Sequence, residues 1–410
     1  MPKVVWYISK YFSPPLKGTG GGRDWLLLKN LSKQGIEPIA IVSDSNNLTS
    51  VPELVNSNEV IEEDGVKVVW LKTLKYSVAK SSKRILTWFH FEWNLFRFNT
   101  EQLKKPDVII VSSLSLLTVL NGLRLSRKYK CPLVFEVRDI WPLTITEEGG
   151  VNPKHPFVLL LRYIEKLGYK KADHIVGTMP NLTEHVTKSL GYEKAVSCIP
   201  MGIDLDVISK QESVSDTYAK DYLIRDDVFK VVHAGTIGIT NALEPFFEAA
   251  EAMKDNKDVC FILVGDGALK SEYKARYGHL ENLVFAPKVP KTQVQSVLSY
   301  GDLLYFSVFD SEVWKYGQSL NKVIDYMLSD KPILASYSGY PSMINEANCG
   351  KFVESGSVEK LVSEIERFAK MEPNELANYT GKGRKWLIEN RNYEQLSKQY
   401  TEILSNVEAS

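Results

Sequence analysis

The sequence predicts an α/β protein built as two doubly wound parallel-sheet domains. Three observations predict it. The chain has 410 residues, more than one average domain holds, and suits two domains of roughly 200 residues each. Strand-length apolar runs alternate with helical patterns through both halves, the order of parallel sheets covered by helices on both faces. Between the halves, Asp204 to Asp227 is polar and poorly periodic. A hydrophobic content of 44% and a charged content of 24% are those of a chain with a packed core.

In the first half the strand-like runs are Val4–Ile8, Pro38–Val42, Val66–Leu71, Val108–Val111, Leu133–Val137 and His174–Thr178. Helical patterns fall between them, notably Arg23–Gln34 and Phe157–Lys171. In the second half the runs are Lys230–His233, Val259–Val264, Leu283–Ala286, Leu303–Val308, Pro332–Ala335 and Gly350–Val353. The expected organisation is an N-terminal domain over 1–203, a hinge over 204–227, a C-terminal domain over 228–380 and a helical tail over 381–410 that packs back toward the N-terminal domain. Two such sheets leave a cleft, and parallel sheets bind ligands at the carboxyl ends of their strands.

Composition removes several function classes. The apolar run at Val4–Ile8 is too short for a signal peptide. The longest uncharged stretch, Val108 to Leu123, carries four hydroxyl residues and one Asn and falls short of a membrane span. Cys131, Cys198, Cys260 and Cys349 are scattered without a Cys-x-x-Cys pair, which suits a reducing cytoplasm. No clustered metal-ligand set occurs, and Asp204-Leu205-Asp206 at the domain junction reads as a chance match to a metal-binding Asp-x-Asp. Net charge is zero, but residues 1–200 hold 27 Lys+Arg against 19 Asp+Glu, a balance of +8. Most of that excess lies between Val66 and Lys105, so the first half presents a basic patch to an anionic partner or surface.

Five segments carry chemistry. Tyr316–Met327, YGQSLNKVIDYM, follows an apolar strand and opens a helix. Ser319 is placed to cap it, Leu320 and Asn321 start it, and Lys322 adds a charge beside the first-turn N–H groups. Asp325 shares that face one turn on. Such a cradle suits a ribose joined to a diphosphate, although an ordinary amphipathic helix has the same pattern. Gly20, Gly21 and Gly22 precede a helix and permit close backbone approach, as a ligand-facing or merely flexible loop. Strand-to-glycine turns recur at His233-Ala234-Gly235-Thr236-Ile237-Gly238 and Val264-Gly265-Asp266-Gly267. Phe135-Glu136-Val137-Arg138-Asp139-Ile140-Trp141-Pro142 places three charges at a strand end, as hydroxyl recognition or as a paired structural cluster. Lys83 to Phe98 interleaves Lys83 and Arg84 with Trp88, Phe89 and Trp93. That reads either as a membrane interface or as a core helix with a basic outer face.

Taken in order, these segments resemble glycosyltransferase family 4, retaining enzymes of the two-domain GT-B fold with Rossmann-like halves. RDIWP (Arg138 to Pro142) and NKVIDYM (Asn321 to Met327) are similar to the branch that transfers amino or 6-deoxy sugars, such as fucosaminyl transferases of bacterial surface polysaccharides. The resemblance implies a nucleotide-sugar donor, UDP-linked, held without a metal cofactor. Gly235, Thr236, Gly238 and Lys322 would face the diphosphate, with Gly21, Gly22 and Gly265 close by. The base would lie against Ala286–Val289, including Lys288 and Val289, and Asp325 would bind ribose. Asp325 replaces the family's usual Glu, and Gly317 stands where many members carry another. Arg138 and Trp141 fall on the acceptor side, with Asp139, and secondarily Glu136, orienting the acceptor or acting as base. The implied acceptor is a lipid-linked saccharide of O-antigen or capsule synthesis, met at the inner face of the cytoplasmic membrane by a peripheral, cytoplasmic enzyme. No nucleic acid is implied. A nucleotide-sugar 2-epimerase and a non-catalytic nucleotide-sugar-binding module are the rival readings.

Overall fold

A computed structural model describes residues 2–15, 21–46, 51–76 and 82–409. Lys17, Gly18 and Gly20 of the glycine loop lie outside the described residues. The chain forms two compact units, one made of Met1–Gly202 with Tyr393–Ser410 and the other of Ile203–Asn392.

Among the described residues the first unit holds eight strands: β1 (Val4–Ser9), β2 (Glu37–Ser43), β3 (Asn58–Glu63), β4 (Val66–Leu71), β5 (Val108–Ser112), β6 (Leu133–Val137), β7 (His174–Gly177) and β8 (Val196–Cys198). They form one sheet in the order β3-β4-β2-β1-β5-β6-β7-β8. Only β3 runs antiparallel, along the outer edge of β4. The central strands are mostly apolar, Glu136 of β6 apart, and buried over nearly their whole length, as suits parallel strands covered on both faces. Helices α1 (Arg23–Lys33), α2 (Ser82–Arg97) and α3 (Thr118–Tyr129) are among those that cover it. The sheet's core also takes Tyr393, Leu396, Tyr400 and Leu404 from the helix Tyr393–Ala409, which packs along α1.

The second unit holds β9 (Phe229–Ala234), β10 (Val259–Val264), β11 (Leu283–Ala286), β12 (Leu303–Ser307), β13 (Ile333–Ser336) and β14 (Gly350–Val353). All are parallel, in the order β11-β10-β9-β12-β13-β14. The chain winds outward from β9 and then returns to lay β12 on its other side. The loops after β9 and β12 therefore diverge at a switch point, where an open parallel sheet has its ligand crevice.

The stretch read as a hinge is anchored structure of the second unit. Tyr218 donates its hydroxyl proton to Pro287 O at 2.6 Å, Ser296 Oγ accepts from Val214 N at 3.1 Å, and Leu223 is fully buried. The tail divides: the helix Gly383–Asn390 packs on the helix Asn321–Leu328 within the second unit, and only Tyr393 onward rejoins the first.

Candidate functional site

A cavity of about 810 Å³ opens at the switch point of the second sheet. Gly235 and Thr236 line it from the loop after β9, and Gly265, Asp266 and Gly267 from the loop after β10. Lys288, Val289 and Lys291 follow β11, while Leu320, Asn321, Lys322 and Asp325 come from the helix Asn321–Leu328.

Two glycines let the first two loops touch. A Cβ at Gly265 would sit 1.9 Å from Gly235 O, and one at Gly267 would sit 2.2 Å from Ile237 O. Only hydrogen side chains permit the resulting bonds, Gly235 N to Val264 O at 3.0 Å and Ile237 N to Asp266 O at 2.9 Å. Gly235 thus contributes its small size to the cavity wall, since its N–H is already used. Lys270 reinforces the clamp by donating to Gly265 O at 2.7 Å and Ala286 O at 3.0 Å.

The helix start departs from expectation. Leu320, not Ser319, is the N-cap, with extended backbone and no side-chain cap. An apolar cap leaves the first-turn N–H groups without a side-chain acceptor, the state in which a helix N-terminus attracts an anion. Lys322 stands there, half-buried, and donates to Asn241 Oδ1. Asn241 in turn donates Nδ2 to Thr236 O at 2.7 Å, so one amide ties the lysine to the β9 loop. Burial lowers the Lys322 pKa to about 8.

Beneath the loop lies His233, fully buried. Its Nδ1–H donates to Tyr305 O at 3.0 Å, which leaves Nε2 as an acceptor with no hydrogen-bond partner among the described residues. Burial, and then the charge of Lys322, push its pKa down to about 3, so the ring is neutral. Tyr326 supports the same wall: its hydroxyl accepts from Ala234 N at 2.9 Å. Asp325 faces the cavity as expected, but Lys291 forms an ion pair with it. Burial raises the carboxyl's pKa and Lys291 opposes the rise. Gly238, Gly317 and Ser319 do not line the cavity; Gly317 instead adopts φ 101° where the turn Glu312–Tyr316 ends, a conformation glycine permits.

The first unit holds the remaining predicted residues. Gly21 and Gly22 stand at the start of α1, with Gly22 as its N-cap. Glu136, expected as a secondary catalytic carboxylate, is fully buried and spoken for. It pairs with Arg23 Nη1 at 3.1 Å and accepts from Tyr7 OH at 3.0 Å and Tyr400 OH at 3.2 Å. Burial would raise its pKa, but Arg23 and Arg138 outweigh that and hold it low. It is the keystone that joins β1, α1, β6 and the last helix. Arg138 lies 3.5 Å from buried Asp24.

Asp139 emerges past the end of β6 with exposed surface. The protein packed around its carboxyl nonetheless raises its pKa, against Arg138, Trp141 and Arg84. Trp141, joined to Pro142 by a cis peptide bond, packs edge-on to Trp88 with ring centroids 5.3 Å apart. Glu148, which no motif marked, lies within electrostatic reach of Asp139: burial first, and then the Asp139 charge, raise its pKa to about 7. Of the residues offered as a membrane patch, Lys83, Phe89 and Trp93 are exposed on α2 and Arg84 is half-buried. Trp88 is buried and donates Nε1–H to Tyr11 OH at 2.9 Å, so it belongs to the interior.

Sequence reasoning missed Lys291, Asn241, Glu148 and the Arg23–Glu136 bond. Each depends on a partner far along the chain, except Glu148, for which two adjacent glutamates (Glu147, Glu148) shortly after RDIWP were the available signal. Among the described residues no group of three or more His, Cys, Asp or Glu could hold a metal ion, and no helix is long and apolar enough to cross a membrane.

Two families match the chain. Residues 25–207 match the family described as Glycosyltransferase Family 4, and residues 228–371 match the one described as Glycosyl transferases group 1. An uncharacterized glycosyltransferase of Methanocaldococcus jannaschii, MJ1069, is 22% identical over 252 residues, which is 60% of this chain and 61% of that protein. The match thus spans less than two thirds of that relative. Among solved structures, the E. coli trehalose-6-phosphate protein bound with UDP-2-fluoro glucose superposes with a TM-score of 0.72 at 11% identity, covering 98% of both chains. Sucrose-phosphate synthase of Thermosynechococcus elongatus gives 0.71 at 15%, over 99% of both. Anabaena HepE in complex with UDP-glucose gives 0.64 at 14%, over 98% of this chain and 99% of that one. These likenesses establish the two-domain fold.

Proposed function

We propose, for a chain that is a glycosyltransferase of the GT-B fold, that it moves a sugar from a UDP-sugar to a hydroxyl of a lipid-linked saccharide, with retention and without a metal ion. The observation that carries the donor half is Lys322. Its ammonium stands at an N-terminus without a side-chain cap and is tied by Asn241 to the glycine-walled loop after β9. Sugar transfer leaves a diphosphate, and the demand on the protein is to meet the charge that grows on it. A helix terminus and a lysine meet it with fixed groups. Asp325, one turn further along the same wall, and Lys291, paired with it, suit ribose hydroxyls, which one carboxylate and one ammonium can both bind. The UDP ligands named for HepE and the E. coli protein support the choice of nucleotide. On the acceptor side, burial raises the pKa of both Asp139 and Glu148, and the Asp139 charge adds to the rise at Glu148, a pairing suited to handling a hydroxyl proton. The amino- or deoxy-sugar donor suggested by RDIWP and NKVIDYM belongs to the same reading.

A membrane surface is the second part of the proposal. Leu86, Phe89, Trp93 and Phe96 recur at helical spacing along α2 and are all exposed. Lys83 and Arg97 edge this stripe, and a cavity of about 550 Å³ beside it is lined by Lys72, His90 and Arg97 without a carboxylate. Aromatic rings beside cations suit the headgroup layer of an anionic bilayer, which would make the enzyme peripheral at the inner face of the cytoplasmic membrane.

Thermal-shift titration with UDP-, GDP- and TDP-sugars tests the donor: UDP-sugars raise the melting point, and no response to any nucleotide refutes the reading. Lys322→Ala should lower turnover about 100-fold, the scale of losing one oxyanion donor. For the membrane, Trp93→Ser with Phe96→Ser should abolish sedimentation with anionic vesicles. Equal retention on neutral vesicles at every salt concentration refutes the electrostatic part.

A further inference from the structure

The cavity of about 550 Å³ beside α2 opens on the flank of the first sheet. Its walls are the β3–β4 pair on one side, and the C-terminal half of α2 with the turn Thr100–Gln102 on the other. Side chains fix those walls. Asn94 donates Nδ2 to Lys72 O at 2.6 Å, and His90 Nδ1 accepts from Leu74 N at 3.2 Å, so α2 is tied at two points to the chain leaving β4. Asn99 Oδ1 caps the turn by accepting from Glu101 N at 3.1 Å, and Thr100 Oγ1 shares a hydrogen bond with Tyr129 OH at 2.7 Å. His90, Asn94 and Arg97 follow one another at helical spacing, so one face of α2 lines the cavity. The exposed Phe89, Trp93 and Phe96 belong to the adjoining face.

The lining is cationic and rich in carboxamides. Lys72 donates to Val55 O at 3.2 Å, and the Arg97 guanidinium stands 5.8 Å from the Trp93 ring centroid. Among the described residues neither forms an ion pair, and no Asp or Glu lines the cavity. Because Leu74 N–H can only donate, His90 Nδ1 is its acceptor, and the neutral ring carries its proton on Nε2 as a further donor. Two cations and an N–H suit an anion. Asn58, Asn94, Asn99 and Gln102 add four carboxamides. Asn94 Oδ1 and Asn99 Nδ2 are the halves left over from the bonds above, an acceptor and a donor. A hydroxyl needs both from its neighbours, whereas a bare phosphate uses donors alone. Phe98 gives an apolar wall against which the C–H face of a sugar ring packs. The volume falls within the about 300–1,000 Å³ of small-molecule sites.

We propose that this cavity binds an acidic saccharide, a sugar bearing a phosphate or a carboxylate, at a site separate from the donor crevice of the second unit. The proposal rests on the cavity alone, and on neither the donor nor the membrane reading. A free sugar phosphate and the acidic residue of a glycan share the required chemistry.

Isothermal titration of the full chain with glucose 6-phosphate, glucuronic acid, glucose and inorganic phosphate tests it, with UDP titrated in parallel. At least one acidic sugar should bind, and more tightly than glucose or phosphate. Glucuronic acid as the tighter of the two upholds the proposal and assigns the site to an acidic glycan, and glucose 6-phosphate upholds it and assigns a sugar phosphate. Lys72→Ala and Arg97→Ala should each weaken that sugar about three- to fivefold, the scale of an ion pair open to solvent. Together they should weaken it about tenfold or more, with UDP affinity unchanged. Phe89→Ser, on the adjoining face, should change nothing. Phosphate binding as tightly as either sugar overturns the proposal, and so does sugar affinity that the double substitution leaves unmoved or that Phe89→Ser weakens equally. Retention on phosphatidylglycerol vesicles that falls in the double variant, with no soluble acidic sugar bound, gives the cavity to a lipid headgroup and overturns it as well. A wild type that binds an acidic sugar but not UDP refutes the donor assignment and leaves this site standing. Since Lys72, Phe89 and Arg97 are exposed, all these variants keep the core intact.

Discussion

Lys322 makes opposite demands on stability and on function, and replacing it separates them. Its pKa falls from 10.5 to about 8 on folding because burial disfavours the charged form. At about 1.36 kcal/mol per unit, the empty site costs the folded state ~3 kcal/mol wherever both states are protonated, that is, below pH 8. The cost fades as pH rises from 8 toward 10.5, where the unfolded chain binds more protons than the folded one. Lys322→Met removes the charge and keeps the stem, but leaves Asn241 Oδ1 without its donor, a loss of about 1 kcal/mol. The variant should therefore be more stable than the wild type by ~2 kcal/mol at pH 7, and by much less at pH 10. Urea unfolding at both pH values measures this. Adding UDP should reverse the order, since ligand raises the stability of the binder only. A variant less stable than wild type at pH 7, or one that UDP protects equally, would refute the assignment of Lys322 to the diphosphate.

The same titration governs activity: kcat/KM should fall as pH rises above about 8, where free enzyme loses the Lys322 charge, and a flat profile to pH 9.5 contradicts the role. Gly265→Ala should weaken UDP binding at least tenfold, because the new Cβ meets Gly235 O and parts the two loops; calorimetry reads the change. Glu136→Gln should destabilise the protein by about 3–5 kcal/mol, the scale of stranding a buried partner charge, here Arg23. Because the fold holds the Glu136 pKa low, its stabilisation is present above the carboxylate's unfolded pKa and is lost as pH falls through the folded one. Wild type and variant should thus converge in acid, as stability curves will show.

Much of this architecture was legible because buried parallel strands are uniform apolar runs. Val66–Leu71, Leu133–Val137, Val259–Val264, Leu283–Ala286 and Gly350–Val353 are strands over the residues their hydrophobicity marks. β3 escaped notice because Asn58–Glu63 is an exposed, acidic edge strand whose pairing with β4, not its composition, makes it a strand. The polar stretch 204–227 looked like a linker because its anchors, Tyr218 to Pro287 and Val214 to Ser296, lie 69 and 82 residues away. At the site, local helical spacing sufficed to bring Asn321, Lys322 and Asp325 to one wall. It could not show that Lys291 pairs with Asp325, or that an apolar residue takes the cap position. Glu136 and Asp139 are three residues apart, yet one is enclosed by Arg23 and two tyrosines and the other surfaces. Their fates depend on α1 and the last helix, which no pattern near RDIWP reveals.

The helix Tyr393–Ala409 has a consequence for how the chain is made. The first sheet is synthesised before the second unit, but Tyr400, which grips Glu136, and the leucines that close the core behind α1 emerge only after that unit. The half synthesised first is thus the half completed last. Until then the second unit, whose residues are contiguous from Ile203 to Asn392, can mature on its own while its predecessor waits with an open flank. The apolar flank of α1 thus stays uncovered until the second unit has been made.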